Sequence, residues 1–219
     1  MQQEVNLLDR LPKSKRNVKE RGAAKTPEAI AISREYGFDY FDGSRDYGYG
    51  GYRYDGRWLP VAEDIVRHFN LRSGQRLLDV GCAKGFLVKD LMTVCPGLEV
   101  FGLDISRYSI MHCEPEVIGR LHLGSADYLP YPDNSFDAVL AINSIHNLER
   151  SDVKLALQEI QRLAPGKGYV QVDSYRTPDQ KEVFESWVLT AKFHDYPSGW
   201  RDLFNEAGYR GDYCWTIIE

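Results

Sequence analysis

Arg76-Leu-Leu-Asp-Val-Gly-Cys-Ala-Lys-Gly85 is an apolar run that breaks into small residues, and its reading decides the architecture. Its first half suits a buried strand, and Gly81 permits the tight turn that ends it. The small side chains at 83 and 85 let a ligand and the next helix approach the backbone. Downstream the pattern repeats. Lys84 to Val94 has helical spacing, Glu99-Val-Phe-Gly-Leu103 is a second apolar run, and Ser106 caps a helix to about Cys113. Arg120-Leu-His-Leu123 is a third strand, and Phe136-Asp-Ala-Val-Leu-Ala-Ile142 a fourth, nearly continuous in the manner of strands buried on both faces. Asp152 is placed to N-cap a helix to Leu163, Tyr169-Val-Gln-Val172 is the fifth strand, and Lys181 to Thr190 is a helix. Ser198 to Ala207 is a further helix stopped by Gly208, and Asp212 to Ile217 a last strand; Ala191-Lys-Phe-His194 fits a short strand or a loop. Strands alternating with helices of about ten residues predict an α/β fold with a three-layer, doubly wound, mainly parallel sheet.

Upstream the chain is less regular. Thr26-Pro27-Glu28-Ala29 combines an N-cap, a proline at the first helical position and helix formers, predicting a helix to about Tyr36. A second helix runs from about Trp58 to Phe69, with Leu59, Ala62, Ile65, Val66 and Phe69 on one face. Between Gly37 and Gly56 neither period holds, and Tyr, Gly, Asp and Arg dominate. The first 25 residues are polar and basic and read as a mobile tail or a short docking helix from Val5 to Leu11.

Composition narrows the function classes. The chain has 219 residues, 43% hydrophobic and 27% charged, which suits one α/β domain and excludes wholesale disorder. A net charge of −5 argues against a duplex nucleic-acid binder, which needs a basic face for phosphates. Met1 to Lys25 lacks the apolar centre of a secretory signal, and runs such as Ala138 to Ile142 are too short to span a bilayer. Cys82, Cys95, Cys113 and Cys214 lie singly and read as reduced core or turn residues, with no metal site. A cytoplasmic location is expected, without membrane partners; monomer and homodimer stay open.

In an open parallel sheet, ligands bind beyond the carboxyl ends of the strands, where strand order reverses. There the sequence places Gly81, Ala83 and Gly85, then Asp104, an acid suited to a ribose diol. Gly124-Ser-Ala-Asp127, Asn143-Ser-Ile-His146-Asn147 and Asp173-Ser-Tyr175-Arg176 follow the later strands. The dinucleotide fingerprint G-x-G-x-x-G would want glycine at 86, where Phe86 stands, and no G-x-x-x-x-G-K-[ST] phosphate loop exists. A nucleoside ligand without a phosphate, S-adenosylmethionine (SAM), is the remaining common choice.

Leu77-Leu-Asp-Val-Gly-Cys-Ala-Lys-Gly85 resembles the first motif of the class I SAM-dependent methyltransferases. Gly102-Leu-Asp104-Ile-Ser is similar to their second acidic loop, Gly124 to Asp137 to the signature before their fourth strand, and Leu163-Ala-Pro-Gly-Lys-Gly168 to the turn before their fifth. The resemblance covers about residues 70 to 175 and implies the Rossmann-like methyltransferase fold, with S-adenosylhomocysteine (SAH) as product. It implies that Gly81, Ala83 and Gly85 line the methionine and ribose, that Asp104 holds the ribose hydroxyls, and that Asn143 lies beside the methyl. The backbone of Ala126 and the side chain of Ser125 or Asp127 would meet the adenine, and Asp79, Cys82 and Ile105 complete the set. Ala83 stands where many members have glycine, and Ser125 where many have an aspartate. The Asn/Asp-Pro-Pro-aromatic sequence of nucleic-acid amino methyltransferases is absent. The chain also stops where most members would make an antiparallel strand, leaving a sheet edge open or covered by the N-terminal segment or a partner.

The segment before the first strand usually contributes a lid in this family. Expected organisation is a basic tail (1–25), N-terminal helices with a Tyr/Gly-rich lid (26–69) and a catalytic domain (70–219). Within the lid, Tyr47, Tyr49, Tyr52, Arg53 and Arg57 are acceptor-binding candidates, because tyrosine faces attract cations and arginines grip carboxylate or phosphate. His146 and Asp173 are the candidates for holding or removing a proton; Lys84 reads as the solvated start of a helix. The leading expectation is methyl transfer to an O or N atom of a small polar metabolite, such as a carbohydrate or secondary-metabolite intermediate. An RNA methyltransferase and a non-catalytic SAM-binding module are the alternatives.

Overall fold

The computed structural model describes residues 2–12 and 18–217. Six strands form one sheet in which every pairing is parallel: β1 (Arg76–Val80), β2 (Glu99–Asp104), β3 (Leu121–Leu123), β4 (Ala138–Ile142), β5 (Gly168–Asp173) and β6 (Asp212–Thr216), in the order β3-β2-β1-β4-β5-β6. The order reverses between β1 and β4, so the Gly81–Gly85 turn lies at the switch point.

Helices cover both faces. N-terminal to the sheet come α1 (Val18–Ala24), α2 (Pro27–Arg34), the short α3 (Phe38–Phe41) and α4 (Leu59–Phe69). After β1 come α5 (Phe86–Val94), α6 (Arg107–Met111), α7 (Arg150–Leu163), α8 (Pro178–Trp187) and α9 (Pro197–Ala207). One face packs Leu78, Val139 and Val170 against α7 and α9, and the other packs Leu77, Val100 and Leu140 against α4 and α5. Each such buried Leu or Val contributes about 1.5–3 kcal/mol relative to exposure. Local chemistry sets the helix starts where hydroxyls are available. Thr26 Oγ1 accepts from the Ala29 N–H at 3.0 Å, and Ser106 Oγ from the Ser109 N–H at 3.0 Å. α7 departs from expectation: it begins at Arg150 with Glu149 as cap residue, one turn before Asp152. Residues 191–194 form no strand, and only Asp195 bridges to Ser174.

The far edge of the sheet is covered by the chain's own N-terminal segment. The Val5 N–H donates to the Tyr213 carbonyl at 2.9 Å, and the Tyr213 N–H to the Gln3 carbonyl at 3.0 Å. Tyr169 Oη donates to the Val5 carbonyl at 3.1 Å and accepts from the Leu7 N–H at 3.3 Å, while Leu7 is buried. Residues 2–12 thus dock through backbone pairing and turns, without the helix considered for Val5 to Leu11; part of the basic stretch, residues 13–17, lies outside the described residues. The four cysteines are free thiols. Among the described residues no helix is long and apolar enough to cross a membrane, and no cluster of three or more potential metal ligands occurs.

Candidate active site

The tips of β1 and β2 hold two carboxylates. Asp79 and Asp104 are both nearly buried, at 4% and 8% exposure. Asp104 is held by backbone donors: the Ala83 N–H reaches its Oδ2 and the Ser106 N–H its Oδ1, each at 2.7 Å. Burial raises its pKa from the usual carboxylate value, partly offset by these donors. Asp79 has no such support. Burial, then the charge of Asp104, pushes it up to about 7. Asp79 is thus a buried acid with no ion pair among the described residues.

The turn between them has an uncommon backbone. Gly81, Ala83 and Gly85 all have positive φ, at 84°, 50° and 78°. A Cβ on Gly81 would also collide with the side chain of Ser144, which donates to the Val80 carbonyl at 2.8 Å. Ala83 carries its methyl in a left-handed conformation that costs an L-residue about 1–2 kcal/mol, the physical reason glycine suits this position. Asn143, at the tip of β4, is likewise left-handed (φ 55°) and exposed. Ile105 projects beside Asp104 at 56% exposure, Cys82 is buried beneath the turn, and Ala126 packs against the core. Ser125 Oγ donates to Asp127 Oδ1, so the two side chains considered for the adenine are already joined.

The Tyr/Gly segment folds down onto this turn. Tyr52 stacks on Phe86 (4.5 Å between centroids, 13° between planes) and touches Tyr49 at 4.3 Å. Phe41 joins Tyr40, Tyr49, Tyr52 and Tyr108 in one aromatic cluster. Burial, then the charges of Tyr49, Asp79 and Asp104, raises the Tyr52 hydroxyl far above its usual pKa. The remaining acceptor candidates diverge from it. Arg53 is exposed, and Arg57 is tied to Asp55 at 2.5 Å in solvent. Tyr47 is half-buried and holds its turn through an N–H donated to the Ser44 carbonyl at 3.1 Å.

Lys84 is the residue that sequence reasoning missed. It is 7% exposed rather than solvated, and its Nζ donates to Asp42 Oδ2 at 2.6 Å and to the Tyr52 carbonyl at 3.0 Å. Tyr108 Oη also donates to Asp42 Oδ2, at 2.7 Å. Burial raises the Asp42 pKa, but these bonds outweigh it and the net shift is downward. Ser106 Oγ donates to the Tyr36 carbonyl at 2.6 Å, a second tie between the lid root and the β2 tip. No local pattern announces a partner forty residues away, so only an unexplained lysine inside a small-residue turn could have drawn attention.

His146 is 2% exposed in the loop after β4. Its Nδ1 accepts from the Asp173 N–H at 3.3 Å, so Nε2 carries the proton, 3.4 Å from Asp173 Oδ2. Burial lowers its pKa against the opposing pull of Asp173, keeping the ring neutral. The geometry thus brings His146 and Asp173 together as a coupled pair, with the histidine inside.

Residues 78–172 match the methyltransferase domain family. A demethylmenaquinone methyltransferase of Geobacillus kaustophilus is 36% identical over 118 residues, 50% of each chain. The chain spans about half the length of the curated relatives it matches. Among solved structures, the YcgJ protein of Bacillus subtilis superposes with a TM-score of 0.53 at 21% identity, over 67% of this chain and 66% of that one. A Haemonchus contortus phosphoethanolamine N-methyltransferase, solved with phosphomonomethylethanolamine and SAH, gives 0.57 at 19% identity over 80% and 44%. These two likenesses establish a shared fold.

Proposed function

We propose that the chain is a SAM-dependent methyltransferase that transfers a methyl group to an O or N atom of a small polar acceptor, a reading supported by the match of residues 78–172 to the methyltransferase domain family. The observation that carries the reading is the pair of buried acids, Asp79 and Asp104, with no cation on Asp79 among the described residues. A ligand bearing an ammonium and a sulfonium relieves that charge, whereas a pyrophosphate would add to it. The residues fit SAM. Asp79 and Asp104 would hold its ammonium and ribose hydroxyls, Gly81, Cys82, Ala83 and Gly85 its methionine. Ile105, Ser125, Ala126 and Asp127 would enclose its adenine, and Asn143 would border the methyl.

Bound there, SAM supplies a methyl carbon activated by the adjoining sulfonium. That carbon would be open to an acceptor O or N lone pair, with the S–C bonding electrons returning to sulfur as SAH forms. The chain's task would be alignment and exclusion of water, for which Tyr49 and Tyr52, packed on Phe41 and Phe86, are the candidates. Asp173 accepts or orients the departing proton, and His146 positions it through its Nε2–H. An acidic chain with an aromatic roof favours a small acceptor over RNA.

SAH at a hundredfold over its dissociation constant stabilises the protein by about 2.7 kcal/mol, a rise of roughly 5–10 °C in Tm. Asp104→Ala abolishes that rise and, by orphaning the Ala83 and Ser106 N–H groups, costs about 1–3 kcal/mol per lost bond in the free protein. No shift with SAH in the wild type overturns the reading. SAH binding without methyl transfer in a broad acceptor screen supports a binding module instead, and strong salt-sensitive RNA binding an RNA methyltransferase.

A further inference from the structure

A cavity of about 350 Å³ opens between α2, the start of α7 and the chain after α8, lined by Lys25, Arg34, Glu149, Lys192 and His194 among others. Its cations are poorly neutralised. Lys25 Nζ donates to the Glu185 backbone carbonyl at 2.5 Å, and Arg34 Nε to the Leu189 carbonyl at 3.2 Å. Neither makes an ion pair among the described residues. Lys192 has a carboxylate, Glu149, but only at 3.4 Å in an exposed pair. Burial and then the charge of Arg34 lower the Lys25 pKa against the opposing pull of Glu185, which also lines the cavity and itself lies 3.7 Å from Lys181. Ile30, Val188 and Ala191 supply an apolar wall.

The cavity adjoins the methyl-transfer site on both sides. The Lys192 and Phe193 N–H groups donate to the His146 carbonyl at 3.0 and 3.1 Å, fixing its floor to the loop that starts at Asn143. On the other side, α2 carries Arg34 and ends just before Tyr36, whose carbonyl is bonded to Ser106 at the β2 tip. A molecule in this space would lie between the lid root and the β4 tip.

We infer that the acceptor carries an anionic group, carboxylate or phosphate, held in this cavity by Arg34 and Lys25 with Lys192 at the rim. The inference rests on the methyltransferase reading and makes it more specific. The Arg34 fork, with only its Nε engaged among the described residues, offers two terminal nitrogens to a planar or tetrahedral oxyanion. The apolar wall would receive the neutral body of the acceptor and direct its O or N atom toward Asn143.

The test uses the full chain saturated with SAH. Inorganic phosphate and, separately, acetate are titrated at constant ionic strength, followed by NMR shifts of the Arg34 Nε–H and the His194 ring. Expected is saturable, millimolar binding of one anion, weakened roughly tenfold or more in Arg34→Gln, with SAH affinity unchanged; the preferred anion tells phosphate from carboxylate. Lys25→Gln is the second variant if Arg34→Gln fails to fold. SAH binding with non-saturating anion shifts, or anion binding indifferent to both substitutions, overturns the inference and leaves the methyltransferase reading standing. Failure of SAH to bind instead overturns that reading.

Discussion

The two sides of the site are built by different means. The proposed donor side is made of strand tips and their turns: Asp79, Gly81 to Gly85, Asp104 and Asn143 are positioned by hydrogen-bonded strands and left-handed backbone. The acceptor side is assembled from separate pieces, the lid segment, α2 and residues 188–194, joined by side chains such as Lys84, Arg34 and Ser106. One side is rigid because its backbone is in the sheet. The other depends on a few polar ties, so substitutions should loosen it while the sheet stays intact.

The clearest effect on the lid should follow from cutting the Lys84–Asp42 tie. Its side chains are 9% and 22% exposed, so Lys84→Met strands a partly buried carboxylate and should cost about 1.5–3 kcal/mol. Hydrogen exchange should show protection lost over residues 38–54 while β1 and β4 keep theirs. Equal loss in lid and sheet would show that the two sides are one unit. Tyr108→Phe removes the second donor to Asp42 and should act in the same direction more weakly.

A second contrast lies in pH. The Asp79 carboxyl sits near its ordinary 3.8 in the unfolded chain and about 7 in the folded one. Between these values the folded state binds more protons, so stability from this group falls as pH rises from about 4 to about 7. Asp79→Asn should therefore stabilise the free protein at pH 8 by up to about 4 kcal/mol, with little change at pH 4. Ligand binding that places an ammonium beside Asp79 must release its proton. Calorimetry with SAH at pH 6.5, in buffers of different ionisation enthalpy, should record that release in the wild type and none in Asp79→Asn. Buffer-independent heats in the wild type would remove Asp79 from the ammonium site.

The smallest effect concerns the donor turn itself. Ala83→Gly relieves a left-handed alanine, offset by the greater freedom of glycine in the unfolded chain, for a net gain of about 0.5–1 kcal/mol. In a protein of this size that is roughly 1–4 °C in Tm. A loss of stability would mean that the Ala83 methyl makes contacts worth more than the strain.

Legibility followed the range of the interactions. The β1 turn, the acid at 104 and the alternation of strands and helices are written in contiguous residues, and their types and order could be read directly. Lys84 misled because a lysine before a helix is ordinarily solvated, and Asp42 is distant in the chain. Asp152 looked like the start of α7 because acids favour first turns, yet the helix begins one turn earlier without a side-chain cap. The histidine after β4 was legible as a polar residue near the site, but not as a buried one whose Nδ1 is already occupied.

The sequence by itself determined the parallel sheet, the switch-point turn and the carboxylates there, because backbone geometry and apolar periodicity act over neighbouring residues. Only the tertiary structure decided which side chains close the lid, that residues 2–12 cover the β6 edge, and that Lys25, Arg34 and Lys192 converge on one cavity. Those outcomes depend on packing between segments far apart in the chain, where charge and burial are set by neighbours that no local pattern specifies.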